Sequence, residues 1–378
     1  IHEQGLDIAM KAIERRDHEG PSASKKGGVS RVAPRWARPM MVIALLVAVV
    51  GALTTATSGQ AHAFPRAEFG FSEGGYSLKR SNAQLSATYD SASELGATWS
   101  RMVAYWPDIE PSPGKFDWSN TDRLVNGAKA RGFRVDIILL GAPTWAGGNG
   151  LPGTPPNAAA FGNFAAAAAR HLGNRVDAYE IWNEPNLVNM FTPVDPARYA
   201  SLLRAAYPRI KAIDPSSTVL SGGLASTTAL NLGAYTTPPV EFLRQMYAAG
   251  ARGFMDAVAD HPYTFPFTAD RDPNARWAQT AQMYDIMRAN GDGGKKIWIT
   301  EFGAPTGTGN GAVSDAAQGA ILTSALREGA SRPYIGPMFL HCIQDPGSNP
   351  SNVEDNFGVT RINNSKKPAF WAVKSQIR

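Results

Sequence analysis

From Ala67 to the C-terminus, short apolar or β-branched runs alternate with longer stretches whose apolar residues recur at helical spacing. The runs are "AEFGF" (67–71), "TWSRMVA" (98–104), "RVDIILL" (134–140), "VDAYEIW" (176–182), "TVLSGG" (218–223), "DAVADH" (256–261), "KIWIT" (296–300) and "GPMFLHC" (336–342). Each is four to eight residues long and bounded by breakers, which predicts a buried strand. The helical stretches are "NAQLSATYDSASELG", "NTDRLVNGAKARG", "PNAAAFGNFAAAAARHLG", "PARYASLLRAAYPRIKAID", "PVEFLRQMYAAG", "ARWAQTAQMYDIMRAN", "SDAAQGAILTSALREG" and "KKPAFWAVKSQI". Several end in glycine, as a left-handed C-terminal cap requires. Eight strand and helix pairs predict an α/β fold, a (β/α)8 TIM barrel, as a single domain over residues 64–378. An open doubly wound sheet usually carries a glycine-rich phosphate turn after its first strand, and none follows Phe71.

The first 63 residues break this pattern. Arg31, Arg35 and Arg38 precede "MMVIALLVAVVGAL" (40–53), and small polar residues with "AHA" (61–63) follow it. Basic, apolar and small-residue regions in that order predict an N-terminal extension and Sec-type signal peptide cleaved after Ala63, hence a secreted or cell-wall-associated protein. Left uncleaved, the same run would serve as a membrane anchor, the sole membrane contact the sequence implies.

Charge adds little after that. The 378 residues hold 37 Lys and Arg against 32 Asp and Glu, and residues 64–378 keep 29 and 27 of them. Without a basic stripe, no nucleic acid partner is expected. Cys342 is the only cysteine, so no intrachain disulfide is possible. No His, Cys and carboxylate cluster stands at ligand spacing and no phosphate loop is visible, so neither a metal nor a nucleotide cofactor is expected.

The candidate chemistry lies in two glutamates at strand ends. Glu184 in "EIWNEPN" (180–186) ends the fourth predicted strand, and Glu301 in "WITEFG" (298–303) ends the seventh, 117 residues later. In a barrel both strand ends open on one bowl. Two carboxyls across a bowl suit glycosidic cleavage, where one protonates the leaving oxygen and the other attacks the anomeric carbon. Glu180, four residues before Glu184, falls deeper in the strand and reads as structural. Arg101 is a candidate to hold Glu301 ionised, because a nearby cation favours the carboxylate. Trp145, just past the third strand, is a candidate sugar platform.

These motifs resemble the barrel glycoside hydrolases of clan A, with family 5 and family 39 members most similar. The resemblance covers essentially all of residues 64–378 and includes "AYWPDIEPSPGKFDW" (104–118) and "APTWA" (142–146). It implies a retaining mechanism, with Glu184 as acid/base and Glu301 as nucleophile. It further implies that Asn183 binds the sugar 2-hydroxyl and that His261 and Tyr263 of "DHPYTF" (260–265) flank the two glutamates. The eighth strand departs from the pattern: Phe339 and His341 stand where a sugar-stacking tryptophan is expected. The implied partner is a carbohydrate. Secreted actinobacterial members acting on β-galactofuranosyl linkages of cell-wall galactan suggest that substrate, with β-glucanase or β-xylosidase activity as the alternative. A non-catalytic glycan-binding barrel is the competing class.

Overall fold

Parallel strands buried on both faces need apolar residues at nearly every position, and the predicted runs supply them. The computed structural model describes residues 63–149, 153–226 and 236–378; apart from Ala63, the expected leader lies outside the described residues. The strands are β1 (Phe69–Ser72), β2 (Trp99–Tyr105), β3 (Arg134–Leu140), β4 (Ala178–Ile181), β5 (Thr218–Ser221), β6 (Leu224–Ala225), β7 (Val258–His261), β8 (Ile297–Phe302) and β9 (Ile335–Leu340). They are parallel, in the order β5-β4-β3-β2-β1-β9-β8-β7-β6.

Among the described residues nine strands occupy eight barrel positions, because β5 ends within "TVLSGG" and β6 resumes just after its glycines. β5 pairs with β4, β6 pairs with β7, and a single Leu220 to Ala257 bridge closes the cylinder between them. The break falls on Gly222 and Gly223. A Cβ on Gly222 would lie 2.8 Å from the Ile181 and Trp182 carbonyl oxygens, and one on Gly223 would lie 2.0 Å from the His261 ring. Only glycine lets the backbone pass this close to a strand end and an imidazole.

Eight main helices wrap the barrel: α1 (Asn82–Leu95), α2 (Ser119–Lys129), α3 (Ala158–Leu172), α4 (Pro196–Ile213), α5 (Pro239–Ala248), α6 (Arg276–Ala289), α7 (Asp315–Ala330) and α8 (Pro368–Gln376). Their ends follow local chemistry. Ser81 and Gln84 form a capping box on α1, Asn157 and Asp195 cap α3 and α4, and Gly96 ends α1 with φ of 105°. None of the helices among the described residues is long and apolar enough to cross a membrane.

Inside the barrel, the floor is a separate apolar cluster of Trp99, Ala178, Leu220, Ala257, Ala259, Trp298 and Phe339. Trp99 and Trp298 meet edge to face at 5.2 Å, and a Cβ on Gly70 would lie 2.7 Å from both Phe339 and Trp99. Aromatic rings therefore fill the axis beneath the bowl. Trp371 is 52% exposed on α8, where Lys366 and Lys374 lie over its ring.

Strand alternation sends His261 inward and its neighbour Asp260 outward, where the Thr280 hydroxyl of α6 donates to it at 2.6 Å. Burial pushes the Asp260 carboxyl up to about 6, against the lowering effects of that hydrogen bond and of His261. Its folded pKa thus lies above its unfolded one, the reverse of a salt-bridged aspartate. Stability is fully present below the unfolded value near ~4 and is lost as pH rises through about 6. Asp260→Asn is expected to stabilise the protein by roughly 2–3 kcal/mol at pH 7.5 and by almost nothing near pH 4. Denaturant melts at the two pH values check this; an equal gain at both would contradict the assignment.

Candidate active site

The C-terminal rim is where the backbone departs from regularity. β4 stops at Ile181, and the following Trp182 (φ 71°) and Glu184 (φ 46°) both take left-handed conformations that side chains rarely adopt. Packing holds them there. The fully buried Trp182 indole donates from Nε1 to the Met190 carbonyl at 2.7 Å and meets Phe191 edge to face, while Glu184 N donates to the Gly223 carbonyl at 3.0 Å. The chain thus turns from Trp182 onward, three residues before Pro185, and the turn lifts the Glu184 carboxyl into the bowl.

β8 reaches the same bowl by a bulge. Ile299 pairs with Met338 and Phe302 with Leu340, so β8 carries one more residue than β9 across this step. In a regular strand Thr300 and Glu301 would face opposite sides. Here both reach inward, Thr300 to His261 and Glu301 to Arg101 and Tyr263.

Arg101 is the hub. It lies midway along β2 rather than at its end, and is fully buried. Its Nε and Nη2 donate to the two Glu180 oxygens at 2.7 and 2.9 Å. Nη1 donates to Glu301 at 2.6 Å and to Ser72 Oγ at 3.0 Å, and Nη2 donates to Asn183 Oδ1 at 2.9 Å. Glu180 also accepts from Gly223 N at 2.8 Å, which matches its expected structural role. The bond to Arg101 turns the Asn183 amide so that its N–H groups remain to donate elsewhere. Asp136 faces this cluster from β3. Burial first, and then the Glu180 charge, hold its carboxyl well above the ordinary range.

The two candidate catalytic carboxyls stand side by side. One oxygen of Glu184, one of Glu301 and a His261 ring nitrogen all lie within 4.8 Å of one another. Glu184 and Glu301 retain 21% and 13% side-chain exposure, enough to meet a ligand. His261 is buried between Glu184, 3.0 Å from its Nδ1, and Thr300, 3.0 Å from its Nε2. Tyr263 donates its hydroxyl to Glu301 at 2.7 Å. Burial pushes the Glu301 carboxyl up, but His261, Arg101, His341 and the Tyr263 hydrogen bond outweigh it, leaving Glu301 well below the usual carboxylate range. For His261 burial acts downward, and the charge of Glu301 and the contact with Glu184 reverse it to a net rise. Among the described residues this trio is the group spaced to share a metal ion, and its atoms already hold partners.

The remaining expected residues surround this centre. Trp145 is 37% exposed, meets Trp106 in an edge-to-face contact at 5.5 Å and donates to the Glu110 carbonyl at 3.0 Å. His341 is 7% exposed, enclosed by the rings of Tyr76, Tyr263 and Phe357. It forms wall more than floor. Ser72, Thr300, Tyr76 and Glu354 were not singled out by sequence. Ser72 and Thr300 carry no local signal, because strand pairing and a bulge bring them in.

Lysine cannot make five hydrogen bonds to four side chains. Arg101→Lys is therefore expected to lower kcat by about a hundredfold and to destabilise the fold by roughly 1.5–3 kcal/mol, read by steady-state kinetics and a denaturant melt. A variant with wild-type kcat would remove Arg101 from the centre.

The family description Cellulase (glycosyl hydrolase family 5) matches residues 64–332. No curated protein matches the chain. Among solved structures, a family 39 glycoside hydrolase from the gut symbiont Bacteroides cellulosilyticus WH2 is similar, with 27% identity and a TM-score of 0.67. The match covers 83% of this chain and 63% of that one, so the chain spans under two thirds of that structure's length. A monomeric β-xylosidase from Caulobacter crescentus CB15 shares 21% identity (TM-score 0.62; 83% and 68% covered). A GH5_18 structure from Streptomyces cattleya in complex with GlcNAc shares 18% (TM-score 0.62; 83% and 80% covered). These last two show the shared barrel fold. With a family match over most of its length, the chain belongs to glycosyl hydrolase family 5.

Proposed function

We propose that the protein is an exported β-glycosidase that uses Glu301 as nucleophile and Glu184 as acid/base. The observation that carries the roles is the contrast between the two carboxyls. Glu301 receives hydrogen bonds from Arg101 and Tyr263 and is held ionised, as an attacking group must be. Among the described residues Glu184 pairs with no arginine and meets the His261 ring, which leaves it for the acid/base role at the leaving oxygen. Oxygens within 4.8 Å suit direct attack by one carboxyl, since an inverting pair is set roughly 6.5–9.5 Å apart to admit a water.

In the first step Glu301 bonds to the anomeric carbon as Glu184 protonates the departing oxygen, giving a glycosyl ester. In the second, Glu184 takes a proton from water, which displaces Glu301 and releases the sugar. Asn183, oriented by Arg101, has N–H groups to donate to the glycone. The bond from Tyr263 steadies the carboxylate before attack. The sugar we favour is a β-galactofuranosyl unit of cell-wall galactan. His341 in place of the stacking indole supports it, because a compact imidazole offers less flat surface for a pyranose. The second reading is a β-xylosidase, the activity named for the Caulobacter structure. The basic and apolar order of residues 31–63 supports export.

The test is a screen of the full chain against aryl β-glycosides, the galactofuranoside and xyloside included. Glu301→Ala is expected to abolish turnover. Glu184→Ala is expected to lose about 10²–10⁴-fold and to recover with azide, releasing a β-glycosyl azide. Glycan binding without turnover, kept by both variants, would replace this reading with a non-catalytic barrel.

A further inference from the structure

A third carboxyl stands at the rim beside the catalytic pair. Glu354 lies in the loop after β9, on a short turn over Val353–Asn356. Its Oε2 accepts the Tyr76 hydroxyl at 3.1 Å across 278 residues of sequence. The Tyr76 ring lies 6.3 Å from that of His341, and the His341 ring lies 6.4 Å from that of Tyr263, which holds Glu301. An aromatic wall therefore runs from Glu354 to the nucleophile. His341 Nδ1, in this wall, is buried and has no hydrogen-bond partner among the described residues.

The loop is built to hold Glu354 in place. Asn356 donates to the Asn349 and Asn352 carbonyls at 2.8 and 2.7 Å, and its own carbonyl accepts from Thr306 N at 3.0 Å. Asn352 caps the turn at Glu354 N. The buried Lys367 ties the same loop to Asp345 and Thr306 at 2.8 and 2.9 Å. Surface loops need no such anchoring, and none of these bonds uses Glu354 Oε1. Burial raises the Glu354 carboxyl, opposed by His341 and Tyr76 and reinforced by the charges of Glu301 and Glu184, which places it within electrostatic reach of both. A half-buried carboxyl, held on one oxygen by Tyr76 and with no protein donor to the other among the hydrogen bonds of the loop, is placed to accept a hydrogen bond from a ligand hydroxyl.

We propose that Glu354, held by Tyr76 and flanked by His341, is a specificity-determining residue that accepts a hydrogen bond from one hydroxyl of the bound glycone. The proposal rests on the glycosidase reading and deepens it. The substrate is then a glycone bearing a free hydroxyl toward the β9 and β1 side of the bowl, where the polar wall replaces an indole's flat face.

The experiment crosses residue with hydroxyl. Wild type, Glu354→Gln and Tyr76→Phe are assayed with the preferred aryl glycoside and its monodeoxy analogues. In wild type, removing the matched hydroxyl is expected to lower kcat/KM about 10–100-fold, the effect of one hydrogen bond to a charged group. In Glu354→Gln the parent glycoside falls by a similar factor, and the same deletion then costs less than about threefold. Tyr76→Phe should lose part of the discrimination at that hydroxyl alone, and serves if Glu354→Gln folds poorly. Turnover with unchanged discrimination at every position in both variants would overturn this proposal and leave the catalytic reading intact. Absence of any turnover that Glu301→Ala removes would overturn both.

Discussion

The arrangement of the bowl depends on a guanidinium sealed inside the barrel. A buried arginine is tolerable only when its charge and donors are satisfied, and Arg101 spends them on Glu180, Glu301, Ser72 and Asn183. Four strands or strand ends are thereby referred to one planar group, so the position of the Glu301 carboxylate is set by the barrel rather than by a loop. The fork geometry matters as much as the charge. Two parallel bonds lock the guanidinium on Glu180, and that lock aims Nη1 at Glu301. Glu180 therefore does positional work for a carboxyl it does not touch.

Around this hub the fold gives up regularity where chemistry needs it. The bulge in β8 turns Glu301 and Thr300 to one side, the glycine break between β5 and β6 makes room for His261, and left-handed Trp182 and Glu184 raise the acid/base candidate. Each departure would weaken an isolated sheet. Each is tolerated because the apolar shell between strands and helices, and the aromatic floor of Trp99, Trp298 and Phe339, already stabilise the cylinder. Stability is concentrated below the bowl and precision at its rim.

Most of the architecture was legible in the chain. The eight apolar runs and eight helices appear in the expected order, with ends shifted by up to three residues. The fifth run was the exception: the strand in "TVLSGG" stops at Ser221, and a further short strand, Leu224–Ala225, resumes after the two glycines and serves a different neighbour. The paired glutamates were legible because each has a local signature at a strand end. The candidate role of Arg101 was legible, but not its depth: β2 continues four residues beyond it.

What the sequence determined by itself is what depends on periodicity and local backbone chemistry: strand or helix, caps, the order of elements, and the two glutamates at rim positions. Tertiary structure alone decided the contacts between distant segments. Glu354 and Tyr76 are 278 residues apart and share no pattern that would pair them; barrel closure brings the loops after β9 and β1 together. The same holds for the state of Glu301, which depends on His261, Arg101, His341 and Tyr263 arriving from three other strands. Local rules describe how a segment folds. Charge, burial and hydrogen bonding act through space, and only the closed barrel defines those distances.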